Sequence, residues 1–561
     1  MGDRQTLSTG GGSPMTCNPA PVDGNHDVVR ASREEWKLLL ARDRERMSSY
    51  ERIEMEQDVE GRNRLAGISP SVTTKMGMKN LRRELLRMRK EYETAHSQLN
   101  VNKEHPQPQT GNHNPAEVAP DGLQLERSVE QCHSLTRIYS ILTTESVIKN
   151  DEILLRFLLA DRLNAEKAAR RLVEYHSMTV ELFGDSVLSR PIMLGDLNRQ
   201  ERKLLESGWI QLLLTRDATG RRIMTVDEAG AADPSNIKHK LKVFMYVFQV
   251  AAMDSDTQKM GLHLILHRLF NADSPTGTVD EDAWVVDANE RQMFRRFFAC
   301  APVRCSTIHI NTPSPDKWVR ILPSVIQMLG TDERGRIRFH EGSITACHQE
   351  MEAYGVPAEW MPMTSTGRRK LNEHKLWLKI QKGREMAMQK GQNVEIVECP
   401  RLNDILLTKT RRASSHPGNQ KLRQVLEDRY EERYVAHPMK KQSITSQVAD
   451  QLEEKLQARF LVKNKESFWV PADRNIVLDK LGNSFRFVPR LKPKSDSTPS
   501  SPVKETMVFQ ASEADLKPAA KPSSGDKSYG STEASSSQQD SSDSRAMSPG
   551  PGPTHSERPP F

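Results

Sequence analysis

Cys300, Cys305 and His309 have nucleophilic or metal-binding capacity and fall close together in this sequence. Thiolate and imidazole are the ligands zinc prefers, and a thiol beside an imidazole can act as a nucleophile. The surrounding residues argue against both uses. Thr307-Ile308-His309-Ile310-Asn311 reads as a strand, and strand residues four apart share a face but stand too far apart to chelate one ion easily. His309 and His340 are better read as strand histidines hydrogen-bonded within a sheet. A second chemistry comes from Arg320, Arg334, Arg336 and Arg338, because guanidinium pairs bidentately with phosphate. Isolated surface arginines are also commonly just solvated. No Walker-type loop, G-x-G-x-x-G, H-E-x-x-H, G-x-S-x-G or kinase motif set is present. The reading is therefore a binding protein rather than an enzyme, with no cofactor and no metal.

The segment that would position these residues runs from Ala301 to Ser343. It predicts a strand, a Pro-flanked turn, a helix from Asp316 to Gly330 and a second strand, Arg336 to His340. This β-α-β order is the crossover that parallel strands require. Trp318, Val319, Ile321, Leu322, Val325, Ile326 and Leu329 cover most of the helix circumference. A helix that is apolar nearly all round is either core on both sides or faces a non-aqueous ligand.

Around this segment, 561 residues with 36% hydrophobic and 28% charged content predict one sizeable core, one smaller core and long disordered flanks. The net charge of +7 is compatible with anionic lipid or nucleic acid and diagnostic of neither. Six dispersed cysteines without C-x-x-C, and no apolar signal or spanning segment, predict a reduced intracellular protein. Residues 1–122 read as mostly disordered with two charged helices. One opens at the capping box Ser32-Arg33-Glu34-Glu35 and runs through Arg46 toward Glu56. The other carries a stripe at Leu81, Leu85, Met88 and Tyr92 that suits a coiled coil or docking elsewhere. Residues 123–190 are helical, with Asn164 as a cap. From Trp209 strands alternate with helices, including Ile237 to Ala252 with Phe244 and Phe248 inward, which predicts an α/β lobe over 191–365.

The run Leu154-Leu155-Arg156-Phe157-Leu158-Leu159-Ala160-Asp161-Arg162-Leu163 resembles the L-L-R-F-L-R-A-R signature of the CRAL-TRIO, or Sec14-like, lipid-binding family. Pro302, Arg304, Ile308, His309, Ile310, Asn311 and Pro313 resemble its P-x-R-x-x-x-I-H-I-x-N-x-P core. RIRFHEGS and Gly355 to Pro362 resemble its closing elements. The likeness covers roughly residues 135–365. One departure is His263 and His267 on the central strand, where the family usually carries V-x-D-x-x-G. The resemblance implies a helical bundle plus an α/β lobe that holds one hydrophobic ligand, phosphoinositide-like or another small lipid. Asp316 to Leu329 would then be a gate, with Phe244 and Phe248 in the pocket. Arg320, Arg336 and Arg338 would face a headgroup or membrane. Simple packing of the helix on the sheet is the plain alternative.

Residues 366–392 predict a basic helix in which Lys375, Lys379 and Lys382 surround Trp377, Leu378 and Ile380. Such a helix can lie on an anionic membrane surface or serve as a solvated linker. Residues 393–490 predict a small α+β domain that resembles an uncharacterised domain recurrent in algal proteins. Asn403-Asp404-Ile405-Leu406 and His416-Pro417-Gly418-Asn419 carry that likeness, while Thr408-Lys409-Thr410 replaces its G-R-G. Pro417 suits the first helical position behind a His416 cap. A basic excess here hints at a nucleic-acid or protein partner. Residues 491–561 read as a disordered Ser/Pro-rich tail. The expected function is lipid binding or transfer with peripheral membrane docking, in the cytoplasm. The alternative is a scaffold or nucleic-acid-associated regulator acting through the C-terminal domain, with the nucleus as a second location.

Overall fold

The computed structural model describes residues 33–61, 72–104, 137–138, 140–227, 237–267, 288–312, 325, 327–392 and 395–491. Trp318, Val319, Arg320, Ile321, Leu322 and Ile326 lie outside the described residues, as do 1–32 and 492–561. The expectations placed on them therefore have no structural counterpart below.

At the N-terminal end, α1 (Arg33–Arg46) and α2 (Ser49–Val59) are separate helices where one continuous helix is expected. Ser48 makes the break. Its hydroxyl accepts from the Glu51 amide, and Glu51 accepts in return from the Ser48 amide, so two orphan donors are satisfied at a helix start. α3 (Val72–Glu104) buries its stripe of Leu81, Leu85 and Met88 against α4 (Asp151–Ala160) and α5 (Ala165–Phe183). Asn150 caps α4, and the expected cap at Asn164 forms on α5.

After α6 (Arg199–Glu206) the sheet begins with β1 (Ile210–Arg216) and β2 (Arg222–Asp227). It continues through α7 (Ile237–Ala252), β3 (Leu262–His267), α8 (Ala288–Cys300), β4 (Cys305–Thr312) and β5 (Ile337–Glu341). Spatial order follows chain order, β1-β2-β3-β4-β5. The first pair is antiparallel and the other three are parallel. Helices and a mixed sheet thus combine as an α/β lobe, in agreement with the expected class.

Strand alternation gives the sheet two chemically opposite faces. Register rows Met224–Leu264–Ile308–Ile337 and Val226–Leu266–Ile310–Phe339 form one of them, and it packs into the main core with α7 and α8. The other face carries Ile265–His309–Arg338 and Asp227–His267–Asn311–His340. It is covered in part by α2 and by α9 (Ile344–Glu352) with the turn after it.

α10 (Asn372–Gln389) is not a free linker helix. Trp377, Leu378 and Ile380 are buried in the protein, and the helix lies along β1. The next segment is fastened by Glu398, whose buried carboxylate accepts from Trp377 Nε1 (2.8 Å), Gln381 Nε2 (2.8 Å) and Arg384 Nη1 (2.5 Å) and pairs with Arg222. Burial pushes its pKa up, but these partners hold it below the ordinary carboxylate range.

The C-terminal part contains β6 (Ile405–Leu406), α11 (Pro417–Asp428), α12 (Pro438–Leu456), β7 (Phe460–Lys463), β8 (Trp469–Pro471) and α13 (Arg474–Ser484). Its strands form a separate sheet, β6-β7-β8, over a core that includes Leu422, Ile444, Val448, Leu452, Leu481 and Phe485.

Candidate functional sites

On the apolar face, Phe244 is the hub of an aromatic cluster. Its ring centroid lies 5.2 Å from Trp209, 5.7 Å from Phe294 and 5.5 Å from Phe297, and Phe248 meets Phe297 at 5.0 Å. Val325, Met328 and Leu329 belong to the same buried core. Of the expected pocket residues, Phe244, Phe248, Val325 and Leu329 are described, and all four are buried in this core. Ile237, Leu266, Met293, Phe294, Phe298 and Phe339 stay half-buried at its margin. Apolar side chains held at a boundary in this way supply what a hydrophobic ligand needs.

The opposite face holds a ladder of histidines. His263, His309 and His340 sit on β3, β4 and β5, each one register row further along, and stack with centroids 4.6 and 5.0 Å apart. Glu350, on α9, contacts His340 Nδ1 at 2.5 Å; His309 Nδ1 lies 2.8 Å from His340 Nε2; Thr307 Oγ1 lies 3.1 Å from His309 Nε2. These contacts set the tautomers. An ionised carboxylate only accepts, so His340 donates from Nδ1 and accepts at Nε2, His309 donates from Nδ1, and Thr307 donates to His309. At the far end His263 Nδ1 meets Asp217 Oδ2 at 2.9 Å, and Asp217 pairs with Arg221 at 2.6 Å. The Tyr354 ring closes over His309 edge-on at 4.5 Å.

Burial lowers the basicity of all three histidines, most strongly at His309, which also faces the neighbouring imidazoles and Arg221. Asp217 is pushed up by burial, but the His263 hydrogen bond and Arg221 hold it down to about 2. Cys300 and Cys305 are buried thiols whose pKa burial raises to about 12, which makes them poor nucleophiles. Among the described residues no group of His, Cys, Asp or Glu side chains is placed to share a metal ion.

A third cluster forms where α2 crosses onto the lobe. Asp58 pairs with Arg162 and lies 3.5 Å from both Arg304 Nε and Arg336 Nε. Burial raises its pKa, but the arginines overcome this and hold it low. Arg221 Nη1 donates to the Asp58 and Val59 carbonyls at 2.9 Å, Glu54 pairs with Arg162 at 2.9 Å, and Asp43 pairs with Arg334 at 2.8 Å. A cleft of about 370 Å³ adjoins the cluster, lined by Arg162, Lys167, Arg171, Arg304 and Arg336 among others. Arg162, on its wall, and the next residue of the α4–α5 turn, Leu163, have φ of 52° and 70°, strained values for residues with side chains.

Of the expected headgroup arginines, Arg336 and Arg338 turn inward, and Arg320 lies outside the described residues. Arg336 faces Asp58, and Arg338 donates to the Gly335 and Ile337 carbonyls from a half-buried position. Lys375, Lys379 and Lys382 are exposed along α10. Trp377, Leu378 and Ile380 are buried in the lobe, so these three side chains are not available to a bilayer. No described helix is long and apolar enough to cross a membrane.

The C-terminal motif residues meet at one place, and each has an architectural job. Asn419 bonds both the Leu406 amide (2.7 Å) and the Leu406 carbonyl (3.0 Å), as a neighbouring strand would. Asp404 holds Arg459 through both oxygens (3.0 and 2.7 Å) and accepts from the Arg401 amide. Asn403 donates to the Leu456 carbonyl at 3.0 Å. His416 caps α11 by accepting from the Gly418 amide, Pro417 takes the first helical position, and Gly418 lets the Asp404 backbone approach.

The polar parity of the strands is the signal that marks the ladder in the sequence. His263 and His267 alternate on β3, Thr307, His309 and Asn311 on β4, and Arg336, Arg338 and His340 around β5. Asp217, Glu350, Tyr354 and Asp58 carry no comparable signal, because they reach these sites from turns and helices. No curated protein matches the chain. Residues 404–487 match a family described as a domain of unknown function (DUF6824), and this is the stretch built on β6, α11 and the sheet they complete.

Proposed function

We propose that the α/β lobe binds one hydrophobic ligand, a small lipid, on the helix-covered face of its sheet, as its resemblance to Sec14-like proteins suggests. The observation that carries this reading is the half-buried apolar margin of Ile237, Leu266, Met293, Phe294, Phe298 and Phe339 beside a dense aromatic core. Half-buried aromatics lose water-exposed area when an apolar ligand covers them, at about 25 cal/mol per Å². Docking to an anionic membrane would use Lys375, Lys379 and Lys382 electrostatically and would weaken with salt.

Native mass spectrometry of the full chain after exposure to mixed membrane lipids tests the reading. A one-to-one lipid adduct is expected, and Phe294→Asp should reduce it severalfold without changing the circular dichroism spectrum. A wild-type chain that carries no stoichiometric lipid and moves none between vesicles would sink the idea. A second reading has one observation of its own. On the C-terminal domain Tyr434, Val435 and Met439 are 67%, 80% and 74% exposed, which suits a protein-binding scaffold.

A further inference from the structure

We propose that Arg162, Arg304 and Arg336 form a phosphate-binding site, and that Asp58 of α2 occupies it as an internal stand-in for the ligand. This does not rest on the lipid reading. The fit of Asp58 to its surroundings is the first argument. One carboxylate oxygen, Oδ2, is shared by all three guanidinium groups, and two of them stop at 3.5 Å. That is beyond the usual 2.7–3.2 Å hydrogen-bond range. The carboxylate oxygen engages Arg162 and stops short of hydrogen-bonding Arg304 and Arg336. A phosphate monoester presents three terminal oxygens and up to two charges, enough to reach all three arginines.

Charge is the second argument. Glu54 and Asp58, which pair with Arg162 and in the case of Asp58 also face Arg304 and Arg336, both belong to α2. A ligand that displaces α2 therefore replaces the carboxylates that α2 brings to these arginines. Because buried guanidinium groups without a partner are strongly unfavourable, the expected event is exchange of one anion for another, not release of α2 into water.

Placement is the third. Asp58 lies in the last turn of α2, where a negative side chain opposes the helix dipole, so helix stability does not explain it. The cleft of about 370 Å³ beside the cluster gives an incoming ligand an approach, past Lys167 and the Asn164-capped start of the nineteen-residue α5. Arg304 is already oriented by the Leu159, Gln258 and Lys259 carbonyls, so its Nε is aimed before any ligand arrives.

Full-length Asp58→Asn, melted in inorganic phosphate and in chloride at matched ionic strength, provides the test. The variant should melt below wild type in chloride and recover most of that deficit in phosphate, and it should bind phosphate at least about tenfold more tightly than wild type, 1.4 kcal/mol by the usual conversion. An equal deficit in both salts would overturn the proposal. Should the variant not fold, hydrogen exchange of the wild type decides. Amides of Ser49–Val59 should exchange faster at saturating phosphate, and unchanged protection refutes the site. Sedimentation of Asp58→Asn with phosphatidylcholine vesicles containing phosphatidic acid, but not with phosphatidylcholine alone, assigns the phosphate to a lipid headgroup. Rescue by inorganic phosphate without sedimentation assigns it to a free metabolite. Neither rescue nor sedimentation overturns it.

Discussion

Gly418 has no room for a side chain: a Cβ there would stand 2.1 Å from the Asp404 carbonyl oxygen, a fixed backbone atom. Gly418→Ala must push α11 away from the β6 segment, breaking the two Asn419 bonds to Leu406. A loss of about 2–4 kcal/mol in urea unfolding is expected, in the range of overpacking plus lost buried hydrogen bonds. A loss below about 0.5 kcal/mol, typical of a neutral surface change, would contradict the packing described. The neighbouring motif residues were legible as a group, because Pro417 behind His416 announces a helix start. Their roles were not legible. Asn419 replaces a strand's hydrogen bonds across a turn, and nothing in its local sequence names Leu406 as the partner.

At the scale of elements, strands and helices with clear periodicity were readable. β3 is a short apolar run with polar residues at one parity, and α7 follows its apolar spacing from Ile237 to Ala252. The α1–α2 break was missed because a helix-favouring charged run hides a capping box at Ser48 and Glu51. The basic helix α10 was misread for a related reason. Its lysines advertise a surface, whereas Trp377 and Gln381 serve Glu398 inside the protein. Glu398→Ala removes that shared acceptor and leaves Arg222 buried without its carboxylate. The expected cost is about 3–5 kcal/mol, read as a lowered melting temperature. Wild-type stability in this variant would mean that the segment after α10 is not fastened in this way.

Across the whole molecule, the buried histidines make the fold acid-sensitive. Burial lowers His176 and His267 to about 3 and His348 to about 4, and it also lowers His263, His309 and His340. In the unfolded chain each histidine titrates near its ordinary value of about 6.5. Above that pH both states are neutral and the histidines contribute no slope. Below it the unfolded chain binds the extra protons, so stability falls as pH drops from about 6.5 toward the folded values, by up to about 1.4 kcal/mol per pH unit for each fully titrating histidine. Urea midpoints should be flat between about pH 7 and 8 and fall steeply below about pH 6. A midpoint that does not change down to about pH 5 would show that the ladder is not buried and neutral.

The sequence by itself determined the class of the chain. Alternation and helical spacing are local, so they foretell an α/β lobe followed by a small α+β domain, with strands placed close to where they form. It also marked His309 and His340 as strand histidines hydrogen-bonded within a sheet. Only the tertiary structure decided what the polar positions of β3, β4 and β5 do. Register brings His263, His309 and His340 into one diagonal, α9 adds Glu350, and the β1–β2 turn adds Asp217. It also decided that Arg336 faces Asp58, a partner from a helix far away in the chain. The physical reason is the same in each case. A side chain's partner is chosen by distance in space, and long loops and crossovers remove that distance from the local pattern of residues.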